Sequence, residues 1–207
     1  MEYLDTYSES GEFLGSVERS IVHKDALWHN TVHCWLYDKE GNIFFQVRKD
    51  SGTLYTTASG HVQAGETIKE GFKREIEEEI GIPIEQENAT LVDVVKFSMD
   101  KELKDGSYFR DRAFANVYVY EFDGSYDDFN FDENELLSLV LVNAKETLEV
   151  LKNEIGLLNG TIITKSQNEN LVTEKEIKFE DFLINKGETG IGKYGDVLNK
   201  VIELTKK

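Results

Sequence analysis

The stretch from Arg74 to Gly81 reads REIEEEIG and concentrates four glutamates on a short segment. If the segment is helical, each residue advances by about 100° around the axis. Glu75, Glu78 and Glu79 then fall within an arc of roughly 100°. Glu77 points nearly the opposite way. Three carboxylates therefore converge on one face of the predicted helix.

The converging carboxylates border an apolar stripe, which consists of Ile68, Phe72, Ile76 and Ile80. Like charges three and four residues apart destabilise a helix, and partial burial strengthens their repulsion. A divalent cation that prefers oxygen ligands, Mg²⁺ or Mn²⁺, would remove this cost and attract phosphate oxygens. Taken alone, the run is also compatible with an ordinary solvated helix face.

A longer pattern decides between these two interpretations. Its members are Gly60, Glu66, Arg74-Glu75-Ile76, Glu78-Glu79 and Gly81-Ile82. The pattern resembles the signature of the Nudix hydrolase family at every defined position. The resemblance implies an α/β protein with the Nudix α/β/α sandwich and a mixed β-sheet.

In that family the carboxylates of the signature helix bind Mg²⁺ or Mn²⁺. The resemblance therefore implies that Glu75, Glu78 and Glu79 are metal ligands. The backbone of Gly60 would complete the ligand set. The implied reaction is attack of a metal-activated water on a nucleoside diphosphate or another diphosphate linked to a moiety X.

Further roles follow from the same resemblance. Arg74 would orient the carboxylates, with Glu66 as its ion-pair partner. A carboxylate must also accept the proton of the attacking water. Glu79 is one candidate, and Glu133 is another because relatives often place a carboxylate before the last strand. A solvated loop acid is the alternative interpretation of Glu133.

The region upstream of the signature resembles the Nudix subgroup related to isopentenyl-diphosphate isomerase. His23, His29 and His61 match, with a small difference in one spacing, three histidines that bind a second metal in the isomerases. Imidazoles can bind Mn²⁺ or Zn²⁺. The alternative for each is a hydrogen-bonded loop or pocket histidine. His33, in TVHCW, is interpreted as a packing residue.

Isomerase chemistry would need two groups that are missing from the matching positions. The isomerases use a cysteine just before the signature glycine and a glutamate on a later strand. This chain has Ser59 at the first position and Ala113 or Asn116 in the second region. The pattern therefore favours hydrolysis over isomerisation. A non-catalytic nucleotide-binding regulatory module is a further alternative, but such modules often lose signature glutamates and none is lost here.

Arginines and aromatic residues are candidates for substrate binding, since guanidinium groups suit phosphates and rings suit a base or a prenyl group. The candidate arginines are Arg48, Arg110 and Arg112. The candidate rings are Trp28, Trp35 and Phe45. A structural or solvent-exposed role is the alternative for each of them.

Cap residues predict the helix that carries the signature. Thr67 followed by Glu70 forms a capping box, and Gly81 is a stop signal, so the helix is predicted over 68–80. Hairpins are predicted over 3–22 and 31–47, and strands over 89–97, 113–122 and 137–142. A charged loop is predicted over 100–111 and a helix over 144–153.

The sequence predicts a single Nudix domain over residues 1–207. Its parts are a core of about 28–154, an N-terminal hairpin at 1–27 and a C-terminal helical extension at 155–207. In the extension, NGTIITKSQNEN is interpreted as a polar excursion with a small strand. Residues 193–207 have helical periodicity.

Composition limits the partners. The 207-residue chain has a formal net charge of −17, which repels nucleic-acid phosphates and anionic membrane surfaces. Neither is an expected partner, whereas a small-molecule diphosphate is, and a homodimer is possible. The single cysteine, Cys34, suits a reducing compartment, and the N-terminus has no signal-peptide pattern. A cytoplasmic location is therefore expected.

Overall fold

The fold is built on one mixed sheet of eleven strands with four α-helices, among the residues that the structure describes. A computed structural model describes residues 1–103, 105–131, 134, 136–166, 169–184 and 194–206. The strands are β1 Tyr3–Tyr7, β2 Phe13–Glu18, β3 Trp28–Tyr37, β4 Asn42–Arg48, β5 Leu54–Tyr55, β6 Ala58–His61, β7 Thr90–Glu102, β8 Tyr108–Glu121, β9 Leu136–Asn143, β10 Leu157–Ser166 and β11 Glu169–Lys178. The helices are α1 Arg19–Asp25, α2 Ile68–Ile80, α3 Ala144–Asn153 and α4 Gly195–Leu204.

The centre of the sheet is β3, which pairs with β8 in parallel and with β1, β4 and β6 antiparallel. On one side the order continues through β4, β9 and β10 to β11. β7 lies outside β8, and β5 pairs with the end of β4. The parallel pairing of β3 with β8 among antiparallel neighbours makes the sheet mixed, as predicted.

Two apolar layers cover the two faces of the sheet. On the face that packs against α2, the buried residues include Val32 and Cys34 of β3 together with Phe72 and Ile76 of the helix. The other face packs against α3 and α4. Alternation along β3 explains the division, because successive side chains point to opposite faces. The chain therefore forms the predicted α/β/α sandwich.

Two segments contain more strand than the sequence predicts. The charged loop predicted over 100–111 is wrong, because β7 extends to Glu102 and β8 begins at Tyr108. Most side chains of β7 are exposed on both faces, so the segment lacks the apolar alternation that marks a half-buried strand. In the C-terminal extension, β10 and β11 form a long hairpin that widens the sheet, so the extension is not mainly helical.

The N-terminal hairpin is present as β1 and β2, followed by the short helix α1, which the sequence did not predict. Helix α3 has the predicted bounds, and α4 lies within the predicted helical segment. None of the helices in the described part of the chain has both the length and the apolar composition that crossing a membrane requires.

Candidate active site

Helix α2 presents the carboxylates because its ends and its buried face are well defined. The Thr67 side chain accepts a hydrogen bond from the Glu70 backbone, and the Glu70 side chain accepts one from the Thr67 backbone. Gly81 ends the helix in a left-handed conformation with φ of 74°. The apolar side chains of Phe72, Ile76 and Ile80 are buried. These contacts fix the rotation of the helix, with the predicted bounds and apolar stripe, and they place Glu75 and Glu79 against β6.

Glu75 approaches the backbone of β6 at Gly60. A Cβ atom on residue 60 would lie 2.0 Å from Oε2 of Glu75, so only glycine leaves room for this carboxylate. The Glu75 side chain is 14% exposed. Burial raises the pKa of Glu75 above its ordinary value, although Arg74 acts in the opposite direction. The protein therefore holds a carboxylate in a place that disfavours its charge.

Arg74 organises the carboxylates. Its Nε donates to Glu66 Oε1 at 2.7 Å and its Nη2 donates to Glu66 Oε2 at 2.8 Å, so the predicted ion pair is bidentate. Nη1 donates to Glu75 at 2.7 Å and to Glu78 at 3.2 Å. Nη2 also donates to the carbonyl oxygen of His61 at 2.9 Å. The hydrogen bond from Arg74 lowers the pKa of Glu66, which stays ionised and anchors the guanidinium.

Glu79 is held from two strands. Its Oε2 accepts a hydrogen bond from the backbone N–H of Ser59 at 2.9 Å and one from Gln46 Nε2 at 3.3 Å. Ser59 directly precedes Gly60, so Glu79 and Glu75 reach neighbouring residues of β6. The sequence contains no local signal for either contact, because both join residues that are far apart in the chain.

Glu78 is the most exposed of the three converging carboxylates, with 60% of its side chain accessible. Glu77 is exposed and lies on the outer part of the helix, as predicted. Glu75, Glu78 and Glu79 offer only oxygen atoms, which is the donor set that hard divalent cations prefer, although in this structure their oxygen atoms do not all lie within 4.8 Å of one another. The residues present therefore fit Mg²⁺ or Mn²⁺. Ligation by the Gly60 backbone stays a prediction, as does the role of Glu133, which lies outside the described residues.

Of the three predicted substrate-binding arginines, Arg48 is the one influenced by a carboxylate of α2: the hydrogen bond with Asp50 raises its pKa most, and the charge of Glu79 also raises it. Asp50 holds its guanidinium through two hydrogen bonds of 2.8 and 3.0 Å. The same guanidinium lies 5.7 Å from the ring centre of Tyr55. Arg48 is therefore held in place beside the site.

The other two arginines make their contacts elsewhere. Arg112 forms an ion pair with Asp100 at 2.7 Å and donates to backbone carbonyls of the β7–β8 hairpin. Arg110 donates to the carbonyl of Lys24 at 3.4 Å and packs on Tyr108. None of these contacts reaches the glutamates of α2.

The aromatic candidates mostly serve packing. Trp35 and Phe45 are buried against each other and against Tyr194, at the start of α4. Trp28 packs on Phe114. Two cavities, of about 390 Å³ beside the β3–β4 turn and about 280 Å³ between β9 and β10, are lined by residues other than the carboxylates.

A second cluster consists of His23, His29 and His61, which the structure brings together. One ring nitrogen from each lies within 4.8 Å of the others. His29 Nε2 also lies 3.6 Å from Asp111 Oδ1, and both atoms are buried without a hydrogen-bond partner among the described residues. The sequence did not indicate Asp111, because the parallel pairing of β3 with β8 places it there.

The rings of His29 and His61 have the protonation state of metal ligands. Burial lowers the pKa of His29. Burial and the charge of Arg19 lower the pKa of His61 to about 2. Both rings are therefore neutral at neutral pH, and the neutral imidazole is the form that binds metals. With Asp111 beside them, these residues could hold a Mn²⁺ or Zn²⁺ ion.

The positions named for the isomerase alternative carry no equivalent chemistry. Asn116 donates its amide to the backbone carbonyls of Thr31 and Phe114, at 3.1 Å in each case. Ala113 is buried. Cys34, the single cysteine of the chain, is buried on the α2 side of the sheet. The isomerase alternative gains no support.

An α/β/α sandwich whose helix α2 carries Glu75, Glu78 and Glu79 has the architecture of the family that the sequence resembles. A model of the NUDIX domain matches residues 27–158. An uncharacterized Nudix hydrolase of Clostridium acetobutylicum is 27% identical over 196 residues, covering 89% of this chain and 91% of that protein. The chain belongs to the Nudix family and is a Nudix hydrolase.

Shorter and structural similarities agree with this assignment. The uncharacterized Nudix hydrolase YfcD of Escherichia coli is 34% identical over 86 residues, which cover 39% of this chain and 48% of YfcD. The crystal structure of DR0079 from Deinococcus radiodurans superposes with a TM-score of 0.51 at 22% identity. That superposition covers 72% of this chain and 87% of DR0079, and it supports the fold.

Proposed function

We propose that this Nudix hydrolase cleaves a diphosphate linked to a moiety X, such as a nucleoside diphosphate, with Mg²⁺ or Mn²⁺ held by Glu75, Glu78 and Glu79. The observation that carries the proposal is the buried Glu75 carboxylate against Gly60. Its position is costly for an isolated charge and favourable beside a cation. The negative charges of the neighbouring Glu78 and Glu79 further favour a cation at this position.

The residues of this chain would position the reaction. A bound divalent cation supplies a lowered water pKa and charge neutralisation at phosphoryl oxygens. Arg74, anchored by Glu66, holds two of the carboxylates in one geometry. The Ser59 N–H and Gln46 fix the orientation of Glu79, which we propose as the proton acceptor, with Glu133 as the alternative.

Arg48 is proposed to bind a phosphate of the substrate. Its guanidinium presents donors in a fixed orientation because Asp50 and Tyr55 hold it beside Glu79. Arg110 and Arg112 are weaker candidates, because their contacts anchor them to the β7–β8 hairpin and to α1.

The histidine cluster is proposed as a second metal site. The observation in its favour is that His29 Nε2 and Asp111 Oδ1 are buried near each other, and the described part of the chain offers neither atom a hydrogen-bond partner. Buried polar atoms of native proteins are usually paired, so these two atoms favour a shared ligand. Metal analysis of the purified protein tests this. His29→Gln should lose one equivalent of Mn²⁺ or Zn²⁺, and unchanged metal content would contradict the site.

A screen of substrates tests the proposed function. The purified protein is incubated with nucleoside diphosphate sugars, dinucleotides, oxidised nucleotides and prenyl diphosphates, with Mg²⁺, with Mn²⁺ and with a chelator. Products are separated by chromatography, because a nucleoside diphosphate sugar gives a nucleoside monophosphate and a sugar phosphate, not free phosphate. Release of products from at least one class, lost with the chelator, is expected. Absence of release from every class with both metals would contradict the function and favour a binding module.

The expected partners and location also remain proposals. A small-molecule diphosphate is the proposed partner, and a net charge of −17 argues against nucleic acid and membrane surfaces. A cytoplasmic location agrees with the single buried Cys34. A homodimer is tested by light scattering after gel filtration.

A further inference from the structure

Three of the four histidines of the chain form the cluster described above. The fourth, His33, is close enough to His61 to influence its protonation. We propose that His33 is a substrate-binding residue that donates a hydrogen bond to the diphosphate. The proposal rests on the proposed function, because it concerns the substrate of the same site. It replaces the interpretation of His33 as a packing residue.

The pairing of β3 with β6 places His33 opposite the residue whose backbone holds Glu79. His33 lies directly opposite Ser59 in this antiparallel pair. The Ser59 N–H donates to Glu79 and therefore points away from β3. Opposite residues whose N–H groups point away from each other's strands are the non-hydrogen-bonded pairs of an antiparallel ladder. Their side chains are the closest across the two strands, with Cβ atoms about 4.5–5.5 Å apart. His33 is thus one side chain away from the residue that fixes Glu79.

Contacts with the segment after β4 keep the imidazole at this edge of the site. Nδ1 of His33 lies 3.4 Å from Oγ1 of the buried Thr56. The ring meets the edge of Tyr55 with a centre-to-centre distance of 6.1 Å. Tyr55 also contacts the guanidinium of Arg48 through its ring. Tyr55 therefore lies between His33 and Arg48.

This arrangement gives the site phosphate-binding donors of two kinds. Arg48 offers a charged guanidinium, and His33 offers an imidazole N–H. His33 is only partly buried, so a ligand can reach it. Tyr55 contacts both donors and so brings them to one place at the edge of the sheet. The pure packing residues of β3, such as Trp35, are instead buried under α4.

Three replacements of His33 separate ligand binding from packing. His33→Phe keeps a ring and removes the donor. His33→Asn keeps a polar group near Thr56 but is too short to reach as far as Nε2, whereas His33→Gln reaches that position. Trp35→Phe, on the same strand and the same face, is the matched control for a disturbed β3.

The measurement is calorimetric titration with imidodiphosphate, a non-hydrolysable diphosphate, in Mg²⁺. His33→Phe and His33→Asn are expected to raise Kd about tenfold or more. His33→Gln should recover part of the loss, and Trp35→Phe should bind like the wild type. If His33→Phe does not fold, His33→Asn carries the test.

The outcomes distinguish this inference from the proposed function. Equal Kd values for the wild type and the His33 variants would overturn the inference. A loss of affinity in His33→Phe but not in His33→Asn would also overturn it, because that result indicates a role in packing or in bonding to Thr56. A wild type that binds imidodiphosphate through His33 but hydrolyses no substrate would overturn the proposed function alone. A wild type that hydrolyses a substrate while the His33 variants bind normally would overturn the inference alone.

Discussion

Replacing Gly60 by alanine is expected to remove activity while leaving the fold intact. The added Cβ would lie 2.0 Å from Glu75 Oε2, whereas ordinary contact begins at 3.4 Å, so the carboxylate must move by about the difference of 1.4 Å. A misplacement of about 1 Å can reduce catalysis about 100-fold. We therefore expect Gly60→Ala to lower kcat/KM at least about 100-fold on the substrate found in the screen.

The same substitution should change stability little. Gly60 does not have a left-handed backbone, so alanine fits its conformation without strain. Moving Glu75 also relieves the burial that raises its pKa. Urea unfolding in a chelator should give an unfolding free energy within about 1 kcal/mol of the wild type.

Gly160→Ala is the matched control for the alanine substitution. Its Cβ would lie 2.7 Å from Cγ1 of Ile177 on β11, away from the carboxylates. This variant should lose about 1–3 kcal/mol of stability by overpacking and keep the activity of each folded molecule. Full activity in Gly60→Ala, or a loss of activity that merely follows its stability, would refute the steric role of Gly60.

Three further predictions concern the surroundings of the site. Arg74→Lys should lower kcat/KM by about 10–100-fold, because an ammonium group cannot hold Glu66 bidentately while also bridging the helix carboxylates. Steady-state kinetics at several Mg²⁺ concentrations measures this change. Thr67→Ala should lose about 1 kcal/mol in urea unfolding with kcat/KM unchanged, because only the capping box is removed. Burial and the charge of Arg19 lower the pKa of His61 from 6.5 to about 2, and the nearby His23, His29 and His33 act in the same direction. The neutral His61 side chain therefore contributes to stability above pH 6.5, and this contribution is lost as pH falls below 6.5. In a chelator, the free energy of unfolding of the wild type should fall more steeply than that of His61→Gln as pH falls below 6.5. The difference in slope should be about 1.4 kcal/mol per pH unit, and equal slopes would contradict this.

Helix α2 was predictable because every signal that defines it is local. Thr67 and Glu70 mark its start, Gly81 marks its end, and the apolar stripe sets its rotation. The same rotation predicts which glutamates converge. The bidentate pair between Glu66 and Arg74 followed from the family resemblance, and the structure contains it.

The contacts that complete the site depend on pairing between distant strands. Gln46 reaches Glu79 only because β4 lies beside the helix, and Asp111 reaches His29 only because β8 pairs with β3. No periodicity in a single segment encodes such pairings. The outer parts of β7 and β8 and most of the β10–β11 hairpin were missed for a related reason, because strands with two exposed faces lack apolar alternation.

The glutamates on the inner face of α2 are proposed to hold the cation that hydrolysis requires. The direct measurement compares Glu79→Gln with Glu77→Gln in metal-dependent diphosphate hydrolysis, with circular dichroism as the check on folding. In Glu79→Gln the side-chain amide oxygen can still accept the hydrogen bond from Ser59, so the fold should be kept while the charge is lost. We expect no detectable turnover in Glu79→Gln and wild-type turnover in Glu77→Gln, whose native side chain is exposed. Full turnover in Glu79→Gln would contradict the proposed metal site.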